Sequence, residues 1–299
     1  MVEIRHILCP IDFSDASHQA LEHAVAIAKW YGSRLAVLHV IRSPFTFEQP
    51  IRDSPRSKSG TREAAEPFLR EQLNAWLAPA KAAGVTTDEL FDDGNAARRI
   101  LERATSVGAD LMILGTHGRG GIERFMLGSV TEKVLRKATC PVLTVPPPSL
   151  TAAKLPYKRL LCPVDFSVSS LAALRFALSI GKESDAHVTV LHVLDWPPEG
   201  ELLVERFDTA EFRRVVEEQT RARLEALISD EARTWSNPET HVAYGKPYRQ
   251  ILELAQREQP DLIVMGVRGR NPIDLALFGS TASHVVRRAS CPVLTLRRS

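Results

Sequence analysis

The sequence predicts an α/β protein of two tandem domains, each an open, twisted sheet of five parallel strands with helices on both faces. Three observations carry this. The chain repeats itself once, unbroken apolar runs of strand length alternate with stretches of helical periodicity, and a proline-rich segment separates the two copies. LCPIDFS at 8–14 returns as LCPVDFS at 161–167, with six identities in seven, and Gly128–Val145 returns as Gly279–Leu296, with ten identities in 18. The offset is 153 residues from Asp12 to Asp165 and from His39 to His192, and 151 from Gly115 to Gly266. Such a period is too long for a solenoid unit and fits a whole domain. PPPSLTAAKLPYK, 146–158, holds four prolines and no apolar periodicity. We read domain one as 1–146, a linker as 147–156 and domain two as 157–299.

In domain one, RHILCPID is a short apolar run ending on an acid, as expected of a buried parallel strand. Ser14 is placed to cap the helix that follows, where Leu21, Ala24, Val25 and Ala28 recur on one face. RLAVLHVI, 34–41, is the second buried strand. Residues 62–83 read as a helix and VTTDELF as a weaker third strand. Gly94 punctuates it, and a helix is expected over 96–106. ADLMILGT, 109–116, is the fourth strand. Gly128 and Ser129 open a last helix, and CPVLTV, 140–145, is the fifth strand. Domain two is expected to run the same way, with strands near 159–165, 187–194, 240–244, 261–266 and 291–296. Alternation of this kind builds a parallel sheet with right-handed crossovers.

Charge excludes some functions. The net charge is +2, with 18 Lys and Arg against 17 Asp and Glu in residues 1–150 and 20 against 19 in the rest. Neither half is a basic arm, so nucleic acid is not an expected partner. No run of about 18 apolar residues offers a membrane span, and the first residues do not form a secretory signal. The expected compartment is the cytoplasm. Cys9, Cys140, Cys162 and Cys291 each precede a proline in an apolar run and form no C-x-x-C pair. They read as buried structural thiols rather than disulfides or metal ligands.

The chemistry is concentrated after the fourth strand. Domain one reads Gly115-Thr-His-Gly118, nine residues, then Gly128-Ser129. Domain two reads Gly266-Val-Arg-Gly269, nine residues, then Gly279-Ser280. A glycine at a strand end permits a sharp turn and close approach to the backbone. A Gly-Ser pair before a helix offers unpaired N–H groups, a hydroxyl and the positive end of the helix dipole, which together suit a phosphate. Arg119 and Arg124, or Arg268 and Arg270, add positive charge. This is neither a GxxxxGK[ST] loop nor a G-x-G-x-x-G turn. His39 and His192 read as satisfied strand-end histidines, and Gly94 and Gly245 as strand-to-helix turns. Asp12 and Asp165 read as ligand-facing carboxylates, with helix capping beside Ser14 and Ser167 as the alternative.

The pattern G-x2-G-x9-G-[ST], with P-x-D-F-S at the first strand, His39-Val40 and His192-Val193, and two C-P-V-L-T strands, resembles the ATP-binding subclass of universal stress proteins. The resemblance covers nearly the whole chain. It implies a Rossmann-like, adenine nucleotide alpha hydrolase-like strand order of 3-2-1-4-5. It implies that Pro10, Ile11 and Asp12 line the adenine and ribose end of a nucleotide site, that Val40 lies at the adenine, and that Gly115, Gly118, Gly128, Ser129 and Val130 wrap ribose and phosphates. The matching positions are Pro163, Val164, Asp165, Val193, Gly266, Gly269, Gly279, Ser280 and Thr281. It further implies ATP with a Mg2+ or Mn2+ ion bridging its phosphates, an intrachain pseudo-dimer through the C-P-V-L-T strands, and association of two chains. Both copies keep the glycine pattern, so two competent sites are expected.

No well-placed general base, catalytic lysine or arginine finger accompanies the loop. The expectation is a nucleotide-binding stress or regulatory protein, with at most weak ATP hydrolysis. A slow phosphotransferase and a structural interaction module are the alternatives.

Overall fold

The computed structural model describes residues 3–41, 60–116, 127–147, 155–195, 210–236, 238–267 and 278–297, with side chains of the helix at 60–82 described from 66 onward. The chain divides into two compact units, 3–153 and 154–299.

In the first unit the elements are β1 (His6–Ile11), α1 (Asp15–Tyr31), β2 (Arg34–Ile41), α2 (Gly60–Ala82), β3 (Thr87–Asp93), α3 (Ala96–Ser106), β4 (Leu111–Gly115), α4 (Ser129–Lys137) and β5 (Val142–Val145). The strands lie in the order β3-β2-β1-β4-β5. All their pairings are parallel. β1 lies between β2, with Cys9 opposite Val37, and β4, with Leu8 opposite Met112. The winding therefore reverses between β1 and β4, as the resemblance implies. Ile7, Leu8, Leu35, Leu38, Met112 and Ile113 are fully buried, which is why these strands read as continuous apolar runs. α2 covers the face bearing Phe91, over which Arg70 lies at 5.0 Å. α3 covers the opposite face, where its Arg103 bonds Asp92. The α2 helix runs through Pro67 and Pro79, each forfeiting one intrahelical donor.

The second unit repeats the plan with β6 (Arg159–Pro163), α5 (Val168–Ser184), β7 (His187–Leu194), α6 (Ala210–Glu225), α7 (Asp230–Ser236), β8 (Glu239–Tyr244), α8 (Pro247–Glu258), β9 (Leu262–Gly266), α9 (Ser280–Arg288) and β10 (Val293–Leu296). The order is β8-β7-β6-β9-β10, again all parallel. One element departs from the expectation that domain two copies domain one: where the first unit has the single helix α2, the second has two, α6 and the short α7. α7 packs on α5 at Gly181, where an added Cβ would lie 2.9 Å from Val188 and 3.0 Å from Ser236. Ala28 holds that place in the first unit, and the smaller residue lets the end of α7 approach α5 closely.

All four cysteines are free thiols. Burial raises the Cys140 thiol to about 11 and the Cys291 thiol to about 12, and pushes those of Cys9 and Cys162 higher still. Cys9, Cys162 and Cys291 are the buried structural thiols the sequence suggested, whereas Cys140 is only half-buried. No helix among the described residues is long and apolar enough to cross a membrane.

The repeat supplies its own test of one buried ion pair. Arg103 Nε and Nη2 donate to the two oxygens of buried Asp92 at 2.7 and 2.6 Å. Aligned through Gly94 and Gly245, the second unit has Ala243 and Leu254 there. Removing one partner of a buried pair strands a charge, whereas replacing both by apolar groups is often neutral. Arg103→Ala should cost about 2 kcal/mol, discounted because its side chain is partly exposed. Asp92→Ala with Arg103→Leu should lie within about 1 kcal/mol of wild type in urea unfolding. Equal losses in the single and double variants would refute this.

Candidate functional site

The C-terminal ends of β1 and β4 lie side by side at the switch point, with β2 next to β1, and the local sequence explains how the chain leaves them. β1 ends at Ile11, and Phe13 adopts a left-handed conformation, φ 59°. This turns the chain sharply into α1. Asp12 closes the turn: its Oδ1 accepts from the Ser14 N–H at 3.1 Å and the Ser14 hydroxyl at 2.5 Å. Ser14 then caps α1 by accepting from the Ser17 N–H, and the Ser17 hydroxyl accepts from the Asp12 and Ser14 amides at 3.3 and 3.1 Å. The second unit repeats this. Phe166 has φ 62°, Asp165 Oδ1 accepts from the Ser167 N–H at 3.0 Å, and Ser170 accepts from the Asp165 N–H at 3.3 Å. The turn-closing role of both aspartates is therefore present, and it fixes the carboxylate at the C-terminal end of the first strand of each unit.

His39 and His192 are satisfied as expected. Each is buried, and each Nδ1 bonds a strand-end carbonyl, Ile11 at 3.0 Å and Val164 at 2.6 Å. A carbonyl only accepts, so Nδ1 carries the proton. Phe13 packs on His39 at 4.8 Å and Phe166 on His192 at 4.7 Å. Val40 and Val193 follow on the opposite face of β2 and β7, the face that α3 and α8 cover. Gly94 and Gly245 take φ of 111° and 120° at the turns into α3 and α8, in keeping with their reading as turns.

Gly115 and Gly266 end β4 and β9. Their role in the structure is close packing: a Cβ on Gly115 would meet the Ala16 carbonyl oxygen at 2.8 Å, and one on Gly266 would meet backbone atoms of Ser169 and Ser170 at 2.7 Å. The helix after β1 thus lies directly against the strand that leads to the loop.

The helix after β4, and that after β9, begins without a side-chain cap, as α8 also does. α1, α3 and α5 each close a first-turn N–H on a side chain of their own, from Ser14, Asn95 and Ser167. α4 and α9 begin at Gly128 and Gly279, which have no side chain to offer. Their first backbone closures come from Glu132 to the Gly128 carbonyl at 2.9 Å and from Ser283 to the Gly279 carbonyl at 2.8 Å. The amides of Ser129, Val130 and Thr131, and of Ser280, Thr281 and Ala282, therefore stand before that closure with the helix dipole behind them. The helix start is anchored to its strand by the Gly128 N–H on the Thr116 carbonyl at 2.8 Å and the Thr131 hydroxyl on the Gly115 carbonyl at 2.9 Å. In the second unit the Gly279 N–H bonds the Val267 carbonyl at 2.9 Å.

The structure thus gathers Pro10, Ile11, Asp12, Val40, Gly115, Gly128, Ser129 and Val130 at one edge of the first sheet. It gathers Pro163, Val164, Asp165, Val193, Gly266, Gly279, Ser280 and Thr281 at the same edge of the second. Gly118 and Gly269, with Arg119, Arg124, Arg268 and Arg270, lie outside the described residues. Sequence reasoning missed the serines at 17 and 170 that brace the aspartate turn. It also missed the stack of Tyr248 on His284 at 4.4 Å, which joins α8 to α9. The signal for the serines was present in S-x-x-S; the stack pairs residues 36 apart with no local pattern.

Known proteins share this architecture. A model of the universal stress protein family matches residues 3–146 and again 156–297. A universal stress protein of Methanocaldococcus jannaschii is 34% identical over 145 residues, which is 48% of this chain and 83% of that protein. The universal stress protein YxiE of Bacillus subtilis is 35% identical over 150 residues, 46% of this chain and 97% of its own. Each of these relatives aligns with about half of the chain. A crystal structure of a universal stress protein from Archaeoglobus fulgidus superposes on 99% of this chain and 97% of its own with a TM-score of 0.69, at 24% identity. With the family's domain matched twice and its fold present in both units, the chain belongs to the universal stress protein family, as a tandem of two such domains.

Proposed function

We propose that each domain binds an adenine nucleotide, ATP in the first instance, and that occupancy regulates the conformation or assembly of a cytoplasmic stress-response protein. The observation that carries this reading is the helix start at the switch point, lacking a side-chain cap and present twice, at Gly128-Ser129 and Gly279-Ser280. The three leading amides of α4 and α9 would hold phosphates. Ile11 and Val40, with Val164 and Val193, would face the base, and Asp12 and Asp165 the ribose. Gly118 and Gly269 would complete the loop by allowing close approach. Among the described residues no group of three His, Cys, Asp or Glu could hold a metal ion. A Mg2+ or Mn2+ ion bound with the phosphates would supply charge neutralisation there. The two family matches in one chain support an intrachain pair of domains, and a further pairing of chains is part of the same proposal.

Ser129→Asp and Ser280→Asp test it. A carboxylate at the first helical position suits the dipole and leaves α4 and α9 intact, but it occupies the phosphate position with like charge. Each variant should lose one of two ATP sites in calorimetry, with affinity at that site falling about a hundredfold or more, and melting of the ligand-free protein should be unchanged. Mass spectrometry of nucleotide released on denaturing the wild type gives the stoichiometry directly. ATP binding that survives the double variant would sink the proposal, and released ADP would point to slow hydrolysis.

A further inference from the structure

The turn that carries each aspartate runs through a left-handed phenylalanine, Phe13 with φ 59° and Phe166 with φ 62°. A bulky residue keeps that conformation only where its surroundings fix it. What fixes it differs between the domains. In the first, the Phe13 ring packs on His39 at 4.8 Å and on Trp76 of α2 at 5.2 Å, and the Trp76 indole also meets the His18 ring of α1 at 4.6 Å. In the second, Phe166 packs on His192 at 4.7 Å and has the Arg223 guanidinium of α6 over its ring at 3.9 Å. Leu171 stands there in place of His18.

Trp76 and Arg223 hold one place in the repeat. Each directly precedes a fully buried leucine, Leu77 or Leu224, on the helix that follows the second strand. Each reaches the equivalent phenylalanine. Trp76 is half-buried and Arg223 exposed, so apolar packing does not account for the exchange. The two side chains share the capacity to bind an aromatic ring, one by its indole and one by its cation. Short steps link that ring to the aspartate. Phe13 follows Asp12, which closes the turn on Ser14. His39, the other neighbour of the ring, donates from Nδ1 to the Ile11 carbonyl just before Asp12, and His192 does the same to Val164 before Asp165. Val40, proposed to face the base, lies on the opposite face of β2. Trp76 therefore acts on the site through the turn, without touching a nucleotide.

We propose that Trp76 and Arg223 are positioning residues of the two nucleotide sites. Each clamps the left-handed phenylalanine and so holds Asp12 or Asp165 in the orientation that receives the ribose. An aromatic edge clamps the first site and a cation on a ring clamps the second. This rests on the nucleotide-site reading above and adds the residues that preorganise it.

The first measurement needs no nucleotide. In the full chain, the Asp12 and Ser14 amides donate to the Ser17 hydroxyl, and the Asp165 amide to that of Ser170. Trp76→Ala should speed hydrogen exchange at Asp12 and Ser14 about fivefold, as expected for one lost aromatic contact, and leave the Leu8 and Cys9 amides unchanged. Arg223→Ala should do the same at Asp165, about threefold. Trp76→Arg, the residue of the other domain, should restore protection at Asp12. An arginine does not refill the volume of an indole, so this rescue separates clamping from packing. ATP affinity is then measured by calorimetry with the second site silenced by Ser280→Asp. Trp76→Ala should weaken the first site about fivefold, and Trp76→Arg should stay within about twofold of wild type. Glycine takes the conformation of Phe13 without strain. In a Phe13→Gly background Trp76→Ala should therefore change nothing further. Unchanged exchange at Asp12, or a loss that arginine does not restore, overturns the clamp. Faster exchange with unchanged ATP affinity overturns the positioning role while leaving nucleotide binding intact. Exchange that behaves as expected in a chain that binds no ATP refutes the nucleotide reading instead, and leaves a clamped turn without a ligand.

Discussion

Gly266→Ala is expected to lower the stability of the ligand-free second domain by about 3 kcal/mol, the upper part of the range for overpacking a closed contact. The methyl group would sit 2.7 Å from the Ser169 carbonyl carbon and the Ser170 nitrogen and 2.8 Å from the Ser169 hydroxyl. All three atoms belong to the first turn of α5, so no rotamer change relieves the contact. The helix must move away from β9. Gly115→Ala meets Ala16 at 2.8, 3.0 and 3.2 Å and should cost less, about 2 kcal/mol. For a domain of this size the losses correspond to melting shifts of roughly 5–10 °C. The measurement is thermal unfolding with no nucleotide present. The sequence alone suggested that these glycines let a ligand approach. A pure ligand contact would leave the empty protein as stable as wild type, and that result would remove the packing account. Because α1 and α5 also carry the aspartate turn, the same variants should weaken nucleotide binding indirectly.

Much of this architecture was legible before any coordinates, for physical reasons that differ by element. β1 and β2 are buried on both faces, so ILCPI and LAVLHV could only be apolar runs. Their boundaries were read to within a residue or two. The strand order was not in the periodicity, because apolar runs do not say which neighbour they pair with. It came from the resemblance. α7 was invisible because seven residues rich in charge give no helical moment, and the place where it packs, Gly181 on a different helix, is about 50 residues away. At the site, the Gly-Ser helix starts were readable because glycine before a helix is a local signal. The reason Gly115 and Gly266 lack side chains was not, because the atoms they avoid lie about 100 residues earlier in the chain. Asp12 shows a mixed case. Its spacing to Ser14 announced a cap, its place at a switch point announced a ligand, and the structure realises the first at the end of β1.

Acidification should destabilise the first domain through one histidine. His23 lies on α1 with no exposed surface, and burial pushes its imidazole from the ordinary 6.5 down to about 4. The folded protein thus refuses a proton that the unfolded chain accepts. Above pH 6.5 both states are neutral there and nothing is lost. Between about 6.5 and 4 the unfolded state gains on the folded one by about 1.4 kcal/mol per pH unit. The full loss, about 3 kcal/mol, is reached near pH 4, and His23 contributes no further slope below that. The second domain is its own control, because Phe176 occupies the equivalent position on α5. His23→Phe should therefore flatten the decline. Denaturant unfolding at pH 7 and pH 4.5 should show wild type losing about 2.5 kcal/mol more than the variant. The difference should be confined to the transition of the first domain. Parallel losses in the two proteins would mean that His23 takes up its proton in the folded state, and that α1 opens locally to admit water at a pH where the strands beneath it remain intact.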